Sequence, residues 1–269
     1  MALRVAVGGF GAIGRVLAEA LDGGIEGLSL AAVSARDVAR AEAAIAGFAH
    51  KVPVLPLARL GEAADIVVEC VPAAFLRDIA EPALAQGRTL VTLSCGALLD
   101  NFDLVALARR HGGRILVPTG ALIALDAVQA AALGGGIASV HMITRKPPAG
   151  LDGAPYLVDH RIGVTGLTEA KLVFTGSARE AARGFPANVN VAAALALAGI
   201  GPDRTTIEIW ADPAVSRNTH RIEVEADAAR FSMQIENVPS VENPRTGRLT
   251  PLSVIALLKK LSSPLAIGT

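Results

Sequence analysis

Strand–helix alternation from residue 3 to residue 117, a G-x-G-x-x-G turn between the first strand and the first helix, and three alternating strands within 205–236 predict an α/β protein. The expected architecture is a doubly wound parallel sheet followed by a second domain of α+β type. Leu3–Val7 reads as the first strand and is followed by Gly8-Gly9-Phe10-Gly11-Ala12-Ile13-Gly14. A helix runs from Ile13 to about Leu21, where Gly23-Gly24 closes it. Leu28–Val33 is the second strand, Asp37–Phe48 a helix and Ile66–Cys70 a buried strand. Then come helix Ala73–Ala85, strand Thr89–Leu93, helix Phe102–His111 and strand Ile115–Val117.

The rhythm changes after Pro118, which places a domain boundary near residues 121/122. Helix Leu125–Leu133 leads to strand Ile137–Thr144. Residues Lys146–Gly166, with Pro147, Pro148 and Pro155, read as one long connecting loop. Helix Val191–Ala198 precedes strands Thr205–Trp210, Thr219–Ala226 and Arg230–Glu236, expected to form an antiparallel sheet. In the last helix, Pro251–Leu261, the residues Leu252, Ile255 and Leu258 share one face, and Lys259 and Lys260 suit the C-terminal end of the dipole.

Of the 269 residues, 52% are hydrophobic and only 3% aromatic, so the core must be built from Ala, Val, Leu and Ile. That suits parallel strands buried on both faces. Twenty-five Lys and Arg balance 25 Asp and Glu, and no basic block supplies the stripe that nucleic acid requires. Two cysteines, Cys70 and Cys95, not spaced as CxxC, fit a reducing compartment. Met1–Phe10 leads straight into a strand and a glycine turn, leaving no room for a secretory signal. No apolar run approaches the ~18 residues of a membrane helix. A cytoplasmic protein without membrane or nucleic-acid partners is expected. No Asp/Glu/His cluster has metal-ligand spacing, so no metal is expected either.

In the glycine turn, Gly9 makes the tight bend, Gly11 lets backbone approach a diphosphate, and Gly14 lets helix and strand pack closely. Ala12 and Ile13 open the helix, whose N-terminal N–H groups face the ligand. A Rossmann-type dinucleotide site follows from this placement. A glycine-rich turn without a ligand would not need all three glycines. NAD-binding folds usually end the second strand with Asp or Glu on the ribose hydroxyls. Ser34 stands near that place, and Arg36 follows, able to hold a 2′-phosphate through two hydrogen bonds. Alternatively, Arg36 is a solvated surface residue and Asp37 caps the next helix. NAD and NADP both stay open as cofactors.

Proton transfer points to histidine. His50 and His111 lie at helix ends, and His141 fits a sheet position. His160 lies in the long loop between Asp159 and Arg161. His220 begins a strand after polar Asn218 and Thr219, which suit an oriented imidazole, and is the stronger candidate. Cys95 in Ser94-Cys95-Gly96-Ala97 follows a strand, where dehydrogenases acting on aldehydes place a nucleophile. Its neighbours supply no base, which favours a packing role.

Several runs together resemble the NAD(P)-dependent L-aspartate dehydrogenases. They are Val68-Glu69-Cys70, Pro118-Thr119-Gly120-Ala121 with Leu125-Asp126, Lys146-Pro147-Pro148, Phe185-Pro186-Ala187-Asn188-Val189-Asn190-Val191-Ala192, Ala211-Asp212-Pro213 with Asn218-Thr219-His220, and Glu236-Asn237-Val238-Pro239-Ser240 with Glu242-Asn243-Pro244. The resemblance covers nearly the whole chain. It implies a dinucleotide domain over 1–121, to which a C-terminal helix within about 240–269 returns, and a substrate and dimerisation domain over 122–239. It implies His220 as catalytic residue, Ala124 and Asn190 as nicotinamide-side contacts, and a homodimer joined through the second domain. The implied reaction is oxidative deamination of L-aspartate, with iminoaspartate hydrolysed to oxaloacetate and ammonia or passed on to NAD synthesis. Lys146, Arg161, Asn218 and Thr219 are candidates for the dicarboxylate. Homoserine dehydrogenase, a dihydrodipicolinate-type reductase and a dinucleotide-sensing regulator are the competing readings.

Overall fold

Val5, Ala6 and Val7 on one strand and Val67 and Val68 on its neighbour are wholly buried, as strands covered on both faces must be. They form the centre of the first sheet in a computed structural model that describes residues 2–186, 190–240 and 246–268. The elements run β1 (Leu3–Gly8), α1 (Ala12–Asp22), β2 (Leu28–Ser34), α2 (Val38–Ile45), α3 (Leu60–Ala63), β3 (Ile66–Glu69), α4 (Leu76–Ala85), β4 (Thr89–Thr92), α5 (Cys95–Asp100), α6 (Asp103–His111) and β5 (Arg114–Leu116). All five strands are parallel, in the order β2-β1-β3-β4-β5. This is the doubly wound sheet that the sequence predicts.

The second sheet follows: α7 (Leu125–Leu133), β6 (Ile137–Lys146), α8 (Pro155–Asp159), β7 (Lys171–Ser177), α9 (Ala178–Gly184), α10 (Asn190–Ala198), β8 (Thr205–Ala211), β9 (Asn218–Ala226), β10 (Arg230–Asn237) and finally α11 (Leu249–Ser262). Its order is β10-β9-β6-β8-β7. Chain contacts divide the molecule into two compact units, Met1–Gly120 with Thr250–Gly268, and Ala121–Leu249.

Four expectations need correction. The second sheet is mixed rather than antiparallel, because β6 and β8 pair in parallel. A long crossover brings the chain back in the same direction, as parallel pairing requires. Within Lys146–Gly166 lies α8, started by Pro155, whose fixed φ suits a first helical position. Tyr156 of this helix meets Phe174 edge-on at 5.1 Å and Phe185 at 5.5 Å, a tertiary contact that no local pattern announces. β7, α9, α3 and α5 correspond to no predicted element. α9 starts with a capping box between Ser177 and Glu180, a local signal that the sequence carries. In α11 the inward residues are Pro251, Val254 and Leu258, while Leu252 is 54% exposed. Val254 and Leu258 join the core of the first unit beside Val5, Leu17 and Leu28.

Candidate active site

The glycine turn is shaped by contacts that exclude side chains. Gly9 has φ +98°, and a Cβ there would stand 2.6 Å from the Cys70 carbonyl oxygen. A Cβ on Gly14 would stand 1.8 Å from the Gly9 oxygen, so only glycine lets α1 sit this close to the turn. At Gly11 a Cβ would meet nothing within 4 Å. That open side is where a diphosphate fits, facing the start of α1, to which no side chain supplies a cap. Gly9 N–H donates to the Ser34 carbonyl at 3.0 Å, tying the turn to the end of β2. The residues present therefore fit a dinucleotide.

Ser34 itself is buried, 4% exposed, and Arg36 is exposed just beyond it. Asp37 caps α2 by accepting from Arg40 N–H at 3.0 Å. The capping role foreseen for Asp37 is therefore real, and this carboxylate is committed to α2.

In the second unit, the inward face of the sheet changes character along its length. Val140 lies opposite Val224 and Met142 opposite Ile222, both pairs buried. The next pair is Thr144 and His220, also buried, at 4% and 3% exposure. Thr144 Oγ1 is 3.1 Å from His220 Nδ1. Two residues further along the same face of β6 comes Lys146, 4% exposed. An apolar core face thus ends in an alcohol, an imidazole and an amine.

Burial first, and the nearby Lys146 charge second, push the His220 imidazolium down to about 3. Burial lowers Lys146 to about 8. His220 is consequently a neutral imidazole near pH 7, not the half-titrated group that its ordinary pKa suggests. Its orienting partner also differs from expectation: Thr144 across the sheet, rather than the chain neighbours Asn218 and Thr219. Nothing in the sequence marks Thr144, because only strand pairing brings it to the imidazole.

The other candidates divide. Asn218 shares the His220 face by alternation and lies opposite Asn237. Thr219 lies opposite Arg145, on the other face. There Arg145 donates to Asp212 at 2.9 Å and sits 5.0 Å over the Trp210 ring. His141, on that same face, is 2.8 Å from Thr206 Oγ1 through Nδ1. His160 is exposed, stacked on Tyr156 at 3.9 Å with Nδ1 2.9 Å from the Tyr156 carbonyl, and Arg161 beside it is exposed with φ +53°. Neither stands with His220 on the inward face. Ala124 is the N-cap residue just before α7, with φ +55°, and Asn190, exposed, opens α10. Asn188 and Val189, like Glu242, Asn243 and Pro244, lie outside the described residues.

Cys95 is buried, and burial followed by the Glu69 carboxylate pushes its thiol up to about 12. A nucleophile must be a thiolate. The packing reading is the one that this environment supports. Among the described residues, no group of three or more His, Cys, Asp or Glu could hold a metal ion, and no helix is long and apolar enough to cross a membrane.

Comparison with known proteins identifies the family. Residues 126–261 match the family model described as aspartate dehydrogenase, C-terminal, and residues 9–118 match that of the homoserine dehydrogenase NAD binding domain. An L-aspartate dehydrogenase of Bradyrhizobium diazoefficiens is 61% identical, over 99% of this chain and 94% of the relative. The chain belongs to the aspartate dehydrogenase family. A second member, L-aspartate dehydrogenase 3 of Bordetella bronchiseptica, is 56% identical, over 99% of this chain and 98% of its own length. The crystal structure of aspartate dehydrogenase from Thermotoga maritima shares the fold from end to end, with a TM-score of 0.75 at 24% identity and all of both chains covered. The resemblance drawn from the short motifs is borne out, and so is the fold class.

Proposed function

We propose that this chain oxidatively deaminates L-aspartate with NAD or NADP as hydride acceptor. The observation that carries the proposal is the match, over essentially the whole chain, to proteins named for that enzyme. The two halves of the molecule are compatible with it: a glycine cradle that a dinucleotide fits, and a buried imidazole beside a buried amine.

A dinucleotide held at Gly9, Gly11 and Gly14 would supply the acceptor for the hydride of the substrate α-carbon. The residues of this chain do the rest. Lys146 and Asn218, on the His220 face, supply a cation and an amide for the dicarboxylate. Thr219, facing the opposite way with Arg145, falls outside that set. Thr144 Oγ1 stands 3.1 Å from His220 Nδ1; in the tautomer with the proton on Nδ1, Thr144 accepts it and the Nε2 lone pair serves as the base. Nε2 takes a proton from the water that attacks the protonated imine carbon and returns it to the nitrogen, and as ammonia departs the carbinolamine hydroxyl gives up its own proton to Nε2, leaving oxaloacetate. The family resemblance assigns Ala124 and Asn190 to the nicotinamide side.

Two cysteines without CxxC spacing suit a reducing, cytoplasmic compartment, and the balanced charge offers no basic stripe for nucleic acid. A homodimer joined through the second domain completes the reading, and light scattering on the purified protein measures it. The deciding experiment follows the absorbance of the reduced nicotinamide with L-aspartate, homoserine and dihydrodipicolinate in turn, and with each cofactor. Turnover of L-aspartate alone is expected. Turnover of homoserine or dihydrodipicolinate in its place overturns the proposal.

A further inference from the structure

Glu69 ends β3 with its side chain 0% exposed, an expensive place for a carboxylate. Five donors converge on it. Oε1 accepts from Val71 N–H at 3.0 Å and from Ser94 Oγ at 3.0 Å. Oε2 accepts from Thr92 Oγ1 at 2.8 Å, Ser94 N–H at 2.9 Å and Leu93 N–H at 3.1 Å. Burial pushes the carboxyl up from its ordinary range, and these hydrogen bonds oppose that push.

The donors come from two separate segments, the turn after β3 and the last residue of β4 with the turn that follows it. Both lie at the C-terminal ends of parallel strands, where doubly wound sheets bind their ligands. Ser94 occupies the N-cap position of α5, yet its hydroxyl makes no cap bond and turns to Glu69 instead. The segment after β3 is the wall of the glycine turn. Cys70 N–H donates to the Gly8 carbonyl at 2.7 Å. A Cβ on Gly9 would stand 2.6 Å from the Cys70 oxygen and 3.1 Å from Val71 Cγ1.

We infer that Glu69 is a positioning residue for the dinucleotide: it fixes Val71 against the glycine turn and ties both to the turn after β4. The inference rests on the dinucleotide reading of that turn. Replacing Glu69 by Gln tests it at one bond. The Gln oxygen still serves Leu93, Ser94 N–H and Thr92, so its NH2 group must face Val71 N–H, donor against donor. Ser94 Oγ can rotate to accept, and Val71 cannot.

The experiment titrates NADH and NADPH into purified wild type and Glu69→Gln by nicotinamide fluorescence, and records apo melting temperatures on the same preparations. The expected result is a roughly tenfold weaker Kd for the reduced cofactor. The cofactor KM should rise in step, while the aspartate KM and kcat at saturating cofactor stay near wild type. A lower melting temperature with unchanged Kd makes Glu69 merely structural and overturns the inference. If Glu69→Gln does not fold, Glu69→Asp, which keeps the charge and shortens its reach, is judged by the same readout. Wild type that binds neither reduced cofactor overturns the dinucleotide reading itself. Wild type that binds while the variant binds equally well overturns this inference alone.

Discussion

Thr144 Oγ1 stands 3.1 Å from Nδ1 of His220, across the β6–β9 register that sets the two residues opposite each other. Both are buried, so the alcohol has little competition from water for the imidazole. A neutral intramolecular hydrogen bond contributes about 1 kcal/mol, equivalent to roughly a fivefold effect. Thr144→Val, near-isosteric but without the hydroxyl, should lower kcat by about that factor. Thr144→Ser should restore most of it. Equal kcat values in all three proteins would show that the bond does not orient the base.

His220→Ala carries the larger stake. General acid–base groups contribute about 10²–10⁴-fold to rate. kcat should fall by that order while NADH still binds, because the glycine turn belongs to the other unit. Melting temperature, NADH titration and kcat on one preparation separate a lost base from a lost fold. A folded variant that deaminates aspartate at the wild-type rate would remove His220 from the mechanism.

Acid should destabilise this protein through the same residue. His220 is pushed down to about 3 from an ordinary 6.5. The unfolded chain takes up a proton below about 6.5 that the folded chain refuses. The stability held by the neutral imidazole is therefore complete above that pH and is lost as pH falls toward 3. Between those limits the melting temperature of wild type should fall more steeply than that of His220→Gln. Lys146, lowered to about 8 from 10.5, opens a second window in which stability rises as pH climbs from 8 to 10.5. Parallel melting curves for the two proteins on the acid side would contradict the first claim.

Cofactor choice turns on the end of β2, where Ser34 stands and Asp37 is occupied in capping α2. Turnover with NADP as well as NAD is expected. Ser34→Asp should repel a 2′-phosphate and shift preference toward NAD. Arg36→Ala should weaken NADP by roughly tenfold and leave NAD nearly unchanged. A wild type inactive with NADP would refute the role given to Arg36.

Cys95→Ser should keep most of the activity, since a thiol pushed up to about 12 is not a thiolate at neutral pH. A loss of several orders of magnitude in kcat would revive an aldehyde substrate and a thiol nucleophile.

The sequence by itself determined what depends on neighbours along the chain. The glycine turn after β1, the strand–helix alternation and the apolar runs of β1 and β3 each mark their structure within a dozen residues, so the first sheet was legible in outline. The short family runs pointed to His220 and Lys146 as types of residue in a given order. Only the tertiary structure decided what depends on strand pairing and burial. The parallel pairing of β6 with β8 turns on the path of the long crossover, and α8 turns on aromatic contacts with Phe174 and Phe185. Thr144 and His220 are 76 residues apart and meet only through register. The five donors on Glu69 come from the turn after β3 and from the end of β4 and the turn beyond it, segments that meet only when β3 and β4 lie side by side. The protonation of His220 belongs to the same class, because desolvation is a property of the surrounding fold and leaves no mark on a one-dimensional pattern.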